Sequence, residues 1–203
     1  MTKMNSTILD VINQRKTTRE FRSDLPPEED LVSILDAACR PPFGGHDEPF
    51  RIVLLRNRTK IQEIAERLKE YVRTHDPGDC PMEEAVFFAT YFENAPAVFL
   101  CAWHPTCVIP DFEKKMETDS GVRDLANAIG LLTLGSAIEN LLLSVQACGL
   151  SAGYIGPFLD ETGLESIIGL EKPFRVAVII PVGYPLHPEP KKPKNTDSLK
   201  IVI

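Results

Sequence analysis

The chain has 203 residues, 43% of them hydrophobic and 25% charged, with a formal net charge of −7. That is ample for a buried core and excludes a generally disordered chain. The acidic balance excludes nucleic acid as the main partner, because phosphate backbones are bound by excess positive charge.

In chain order, Ile8, Val11 and Ile12 fall at the spacing of one helix face, and Thr7 with Asp10 forms a capping pair at its start. The helix ends in a basic island, Arg15-Lys16-Thr17-Thr18-Arg19, where Arg19 is expected one turn after Arg15. Pro26-Pro27-Glu28-Glu29-Asp30 opens a second helix with Leu31, Ile34, Leu35 and Ala38 on one face. A breaker-rich loop, Pro41 to Pro49, leads into the strand Phe50–Leu55. Thr59 and Gln62 read as a capping box for a helix to about Val72, followed by a helix over Glu83–Glu93 and a strand over Ala97–Ala102. From Ser120 to Cys148 the chain reads as one helix about 40 Å long, apolar almost all round. Asn127, Glu139 and Asn140 interrupt it, so it is expected to be buried in protein and not in a membrane. Part of its cover is expected from a second subunit. After the turn Gly149–Phe158 come a short helix over Asp160–Ile168 and the β-branched strand Arg175–Ile180. A Pro/Lys tail from Pro188 to Lys194 ends in strand-like Leu199–Ile203.

Two readings of the basic island are open. Cations are favoured at a helix C-terminus by the backbone dipole. Alternatively, Arg15 and Arg19, with threonine hydroxyls between them, can grip a phosphate through charge-assisted hydrogen bonds. The five cysteines are odd in number and irregular in spacing, and Met1–Ser6 carries no signal-like apolar stretch, so reduced thiols in the cytoplasm are expected. Cys101, His104 and Cys107 are spaced like soft metal ligands, but Cys101 ends an apolar run that reads as a core strand. No metal site is expected.

Taken together, these stretches resemble the FMN-dependent nitroreductase family from about Ile8 to Lys194. The basic island followed by Phe21 matches the family's opening motif. The loop Pro42-Phe43-Gly44-Gly45-His46-Asp47-Glu48-Pro49-Phe50-Arg51 resembles its Pro-Ser-Gly-Gly-Asn-x-Gln-Pro-Trp-Arg stretch. Asn140-Leu141-Leu142-Leu143 with Gly149-Leu150, the turn Tyr154-Ile155-Gly156, and Val182-Gly183-Tyr184-Pro185 with Lys192-Pro193-Lys194 complete the pattern. Phe43, His46, Glu48 and Lys194 stand where the family usually has serine, asparagine, glutamine and arginine.

The resemblance implies a single α+β domain over residues 1–203, with a central, mostly antiparallel sheet flanked by helices. It also implies a homodimer with the long helix at the interface and residues from about 188 to 203 wrapping the partner. FMN would be held by Arg15, Lys16, Thr17, Arg19, Pro42, Phe43, Gly44, His46, Tyr154, Ile155, Gly156, Lys192 and Lys194. In that arrangement Arg15, Thr17 and Arg19, with Lys192 or Lys194, would face the phosphate, and Gly156 the flavin ring. The implied activity is ping-pong electron transfer from NAD(P)H to a nitroaromatic, quinone or similar small acceptor. The departures at Phe43 and His46 leave open a non-catalytic or specialised flavin-binding member of the same fold.

Overall fold

The computed structural model describes residues 7–42, 49–75, 78–105, 113–158, 162–188 and 199. Helix α1 (Ile8–Gln14) begins as its sequence predicts: the Asp10 amide donates to Thr7 Oγ1 at 3.2 Å and the Thr7 amide to Asp10 Oδ2 at 3.1 Å. That reciprocal pair satisfies donors a helix start leaves open. The apolar side of α1 is not covered within the subunit; Ile8 is 77% and Leu9 69% exposed. Helix α2 (Glu28–Ala38) carries three acids in its first turn, where the helix dipole favours them, and buries Leu31, Ile34 and Ala38.

A four-stranded antiparallel sheet follows, in the order β1-β2-β4-β3. Strands β1 (Phe50–Leu55), β2 (Ala97–Trp103) and β4 (Arg175–Gly183) are long; β3 (Ser151–Ala152) is a short edge. Every residue of β2 is buried, so its sequence is continuously apolar and does not alternate. Alternation persists in what each residue touches. Phe99, Cys101 and Trp103 pack with α2 and α6, while Val98, Leu100 and Ala102 pack with Ile61, Ile64 and Leu68 of α3 (Arg58–Thr74). The sheet therefore lies between two helical layers, which gives the expected α+β architecture.

Local differences from the sequence reading have clear causes. The cap of α3 is Asn57, whose Oδ1 accepts from the Lys60 amide at 3.1 Å, not Thr59. Helix α4 (Met82–Thr90) stops short of Glu93 and tightens into a 3₁₀ turn, Tyr91–Asn94. Arg58 locks that turn by donating to the carbonyls of Ala95 at 2.8 Å and Glu93 at 2.7 Å. Helix α5 (Glu113–Thr118) lies in a stretch with no sequence assignment. Helix α7 (Leu164–Ile168) starts later than expected, after Gly163 in a left-handed conformation.

Helix α6 (Ser120–Ala147) matches its predicted span within a residue, its first turn capped by Asp119. Asn140, one of its polar interruptions, donates to the carbonyls of Ala37 and Arg40 and so ties α6 to the end of α2. By length and composition α6 is apolar enough to cross a membrane, yet Leu134, Ile138, Leu141 and Val145 are part of the core. Its outer side shows another pattern. Gly121, Leu125, Ala128, Leu132, Gly135 and Glu139 are all exposed, at alternating steps of four and three residues. Leu125 is 57% and Leu132 73% exposed, so the subunit leaves a straight apolar seam open.

Candidate functional site

The basic island does not continue the helix. Arg15 turns out of it with ψ 128°, and the chain then runs extended beside the sheet. Thr17 bridges to Ala152 of β3, the Thr18 amide donates to the Ala152 carbonyl at 2.8 Å, and Phe21 bridges to Pro185. Thr18 and Phe21 are buried by this docking. In an extended segment alternate side chains share a side, so Arg15, Thr17 and Arg19 form a row with Lys16 and Thr18 between them. At about 3.3 Å per residue, a fully extended segment separates the Arg15 and Arg19 Cα atoms by at most about 13 Å. One helical turn, as expected from sequence, would have brought them to about half that distance. The island therefore spreads its cations along a segment that leaves the helix, and does not stack Arg19 one helical turn above Arg15.

Arg19 marks the far end of the row. Its guanidinium lies 5.4 Å from the Phe88 ring centroid and 6.0 Å from that of Tyr91, within cation–π range. Together with Tyr154, Ile155, Gly156 and Phe158 these residues line an open cleft of about 320 Å³. Arg15, Lys16 and Thr17 do not line it.

The floor of the cleft is a turn whose backbone donors are nearly all engaged. Gly153, Ile155 and Phe158 donate to the carbonyls of Pro181, Ile179 and Ala177, and the Tyr154 amide donates to Tyr91 Oη at 2.9 Å. Pro157 has no N–H. Among the described residues, Gly156 carries the one amide of Gly153–Phe158 without an acceptor, and Gly156 is exposed. Gly156 has φ 134°, and a methyl there would sit 2.5 Å from the Ala177 carbonyl oxygen. Glycine is therefore required by both conformation and close approach to β4. An amide without an acceptor, on an exposed residue that lines a cleft, is available to donate to a ligand.

Of the residues expected from sequence, the structure brings Arg19, Tyr154, Ile155 and Gly156 into one cleft and places Arg15, Lys16 and Thr17 on the segment leading to it. Pro42 is exposed after α2. Phe43, Gly44, His46, Lys192 and Lys194 lie outside the described residues, as does the strand-like 200–203. Sequence reasoning missed Phe88 and Tyr91. The aromatic run Phe87-Phe88-Ala89-Thr90-Tyr91-Phe92 was visible, but it reads as helix packing until the helix is seen to end at the cleft. Cys101 is wholly buried in β2 and burial pushes its thiol pKa up, which disfavours the ligating thiolate. Among the described residues no group of three or more His, Cys, Asp or Glu side chains could hold a metal ion.

The order of these elements, the glycine turn on β4 and the basic segment bridged to β3 define an α+β protein with an aromatic cleft that holds one arginine. Residues 12–184 match the family model described as the nitroreductase family, and the chain belongs to that family. It is 28% identical over 196 residues to the iodotyrosine deiodinase of Thermotoga neapolitana, covering 93% of this chain and 94% of that protein. Among solved structures, the nitroreductase with bound FMN from Bacteroides fragilis superimposes with a TM-score of 0.72 at 22% identity, over 98% of this chain and 100% of the other. A nitroreductase with bound FMN from Desulfitobacterium hafniense gives a TM-score of 0.73 at 18% identity, over 98% and 100%.

Proposed function

We propose that this chain is an FMN-dependent oxidoreductase that takes electrons from NAD(P)H and passes them to a small planar acceptor in alternating half-reactions. The observation that carries the reading is the free Gly156 amide beside Arg19 in an aromatic cleft. These residues fit FMN. The cleft offers aromatic surface for a flat ring, a backbone donor and a cation for its electron-rich edge, and the Arg15–Thr17 end of the row can take a phosphate beyond it. Bound FMN supplies the two-electron chemistry. The protein's part is orientation and charge. Gly156 donates to the ring, Arg19 stabilises added negative charge there, and Phe88 limits water access on one side. Arg15 and Thr17 hold the phosphate, joined by Lys192 or Lys194 from the tail. Two subunits paired along α6 complete the site, each a single domain with its tail around the partner. The four described cysteines are all free thiols, which suits a reducing cytoplasm.

Nitroaromatics and quinones are the expected acceptors. The similarity to an iodotyrosine deiodinase over nearly the full length of both chains adds halogenated phenols, because replacing a carbon–halogen bond with carbon–hydrogen consumes two electrons. The test is an anaerobic titration of the purified, FMN-loaded protein. NADH or NADPH should bleach the flavin absorbance, and an acceptor added afterwards should restore it. Bound flavin that neither nucleotide bleaches would mark a non-catalytic member of the fold. A protein that takes up no flavin would sink the reading.

Separating the two arginines gives a second expected result. Arg15→Ala removes a charged hydrogen bond to phosphate worth about 1.5–3 kcal/mol, so FMN binds about ten- to a hundred-fold more weakly while riboflavin is unaffected. Arg19→Ala weakens both ligands, because its cation lies with the ring-binding turn. Equal loss of riboflavin in Arg15→Ala, measured by flavin fluorescence quenching, would remove Arg15 from the phosphate end.

A further inference from the structure

The Gly156 amide can serve a ring only if the turn that carries it is held in place, and most of the turn's bonds run to β4 on one side. Among the described residues, a single side chain does this on the cleft side. Tyr91 Oη accepts from the Tyr154 amide at 2.9 Å and donates to the Tyr154 carbonyl at 3.1 Å. One hydroxyl thus grips the residue two places before the free amide by both of its polar groups. The fit is tight: a methyl at Gly153 would sit 2.6 Å from that oxygen. The ring of Tyr91 also lies beneath the Arg19 guanidinium. Tyr91 is itself fixed, since it is only 8% exposed and begins the 3₁₀ turn that Arg58 locks through two carbonyls. We propose that Tyr91 is the positioning residue of the flavin site, its hydroxyl aiming the Gly156 amide and its ring face carrying Arg19 into the same cleft. The inference rests on the flavin reading above.

Both bonds need a protonated phenol, which can donate and accept together. Burial raises the Tyr91 pKa, opposed in part by the Tyr154 bond and by Arg19, so the phenol stays neutral across ordinary pH. The role is one of positioning: Tyr91 reaches the ring through Gly156 and Arg19.

Tyr91→Phe, which keeps the ring and removes only the hydroxyl, is the informative variant. In the full chain loaded with flavin, FMN and riboflavin should both bind about ten-fold more weakly and the flavin midpoint potential should fall, because the donor at the ring loses its aim. A merely structural tyrosine would lower the melting temperature and leave the potential unchanged. The wild-type protein supplies a check that needs no variant: the Tyr154 amide should exchange its hydrogen slowly in holoprotein. Unchanged flavin affinity and potential in Tyr91→Phe, or fast exchange at Tyr154 in the wild type, would overturn the inference while leaving the flavin reading intact. Failure of wild type to bind either flavin would overturn both.

Discussion

Gly156→Ala should yield a protein that is markedly less stable and takes up no flavin. Two independent terms act at this one position. At φ 134° an L-residue is strained whatever surrounds it, by about 1–3 kcal/mol. In addition, the new methyl would lie 2.5 Å from the Ala177 carbonyl oxygen and 3.4 Å from the Val178 Cα. Both contacts are backbone atoms of a buried central strand, so no rotamer change relieves them. Either the turn lifts off β4, which breaks the bonds from Ile155 to Ile179 and from Phe158 to Ala177, or β4 shifts within the sheet. A total of about 3–5 kcal/mol is expected, a large share of a typical domain's 5–15 kcal/mol. Urea unfolding of the apoprotein measures it directly, as a fall in midpoint at unchanged slope. Wild-type stability with flavin still bound would mean that the turn does not approach β4 as described.

Gly156 also shows what a sequence can and cannot reveal. Its place after Tyr154-Ile155 marks it as a turn glycine, and the structure puts it in a turn that lines the cleft. The reason glycine is needed there is a carbonyl on β4, twenty-one residues away (177 − 156) and invisible to any local pattern. The basic island fails in the same way. A capped helix, which Thr7 and Asp10 disclose, invites the reading that Arg15–Arg19 continues or just ends it. What draws the chain into an extended row is the backbone of Ala152, to which Thr18 donates. Tyr91 and Tyr154 are 63 residues apart, and nothing in either neighbourhood announces their two bonds. By contrast, β2 and α6 were legible because burial on several sides leaves a continuous apolar run with clear ends. Segment identity is a local property here; the site is made by contacts between distant segments.

If the proposed pairing along α6 is right, Leu132→Glu should give monomers that release the flavin. On the outer side of α6, exposed residues step by four and three from Gly121 to Glu139, the repeat of a helix that pairs along a straight seam. The residues alternate in size as a close helix pair requires. Leu125 and Leu132 project, while Gly121, Ala128 and Gly135 leave room, with nothing within 4 Å of a methyl placed at Gly135. Ile8 and Leu9 of α1, which packs near α6, extend the uncovered apolar surface. A single chain in water would expose all of these side chains, and contiguous exposed apolar surface of this kind marks interaction sites. Because Leu132 is 73% exposed within the subunit, glutamate there costs the isolated fold little and keeps good helix propensity. At a two-fold seam it removes about 2 kcal/mol of leucine burial from each side and sets two like charges near one another. A loss of about 4–6 kcal/mol is expected, three to four powers of ten in the dimer dissociation constant. Light scattering of the variant should return the 22.6 kDa monomer mass, with an unchanged far-ultraviolet circular dichroism spectrum and little bound FMN. A Leu132→Glu protein that remains dimeric would put the interface elsewhere, and one that is monomeric yet fully loaded with flavin would show that a single subunit makes the whole site.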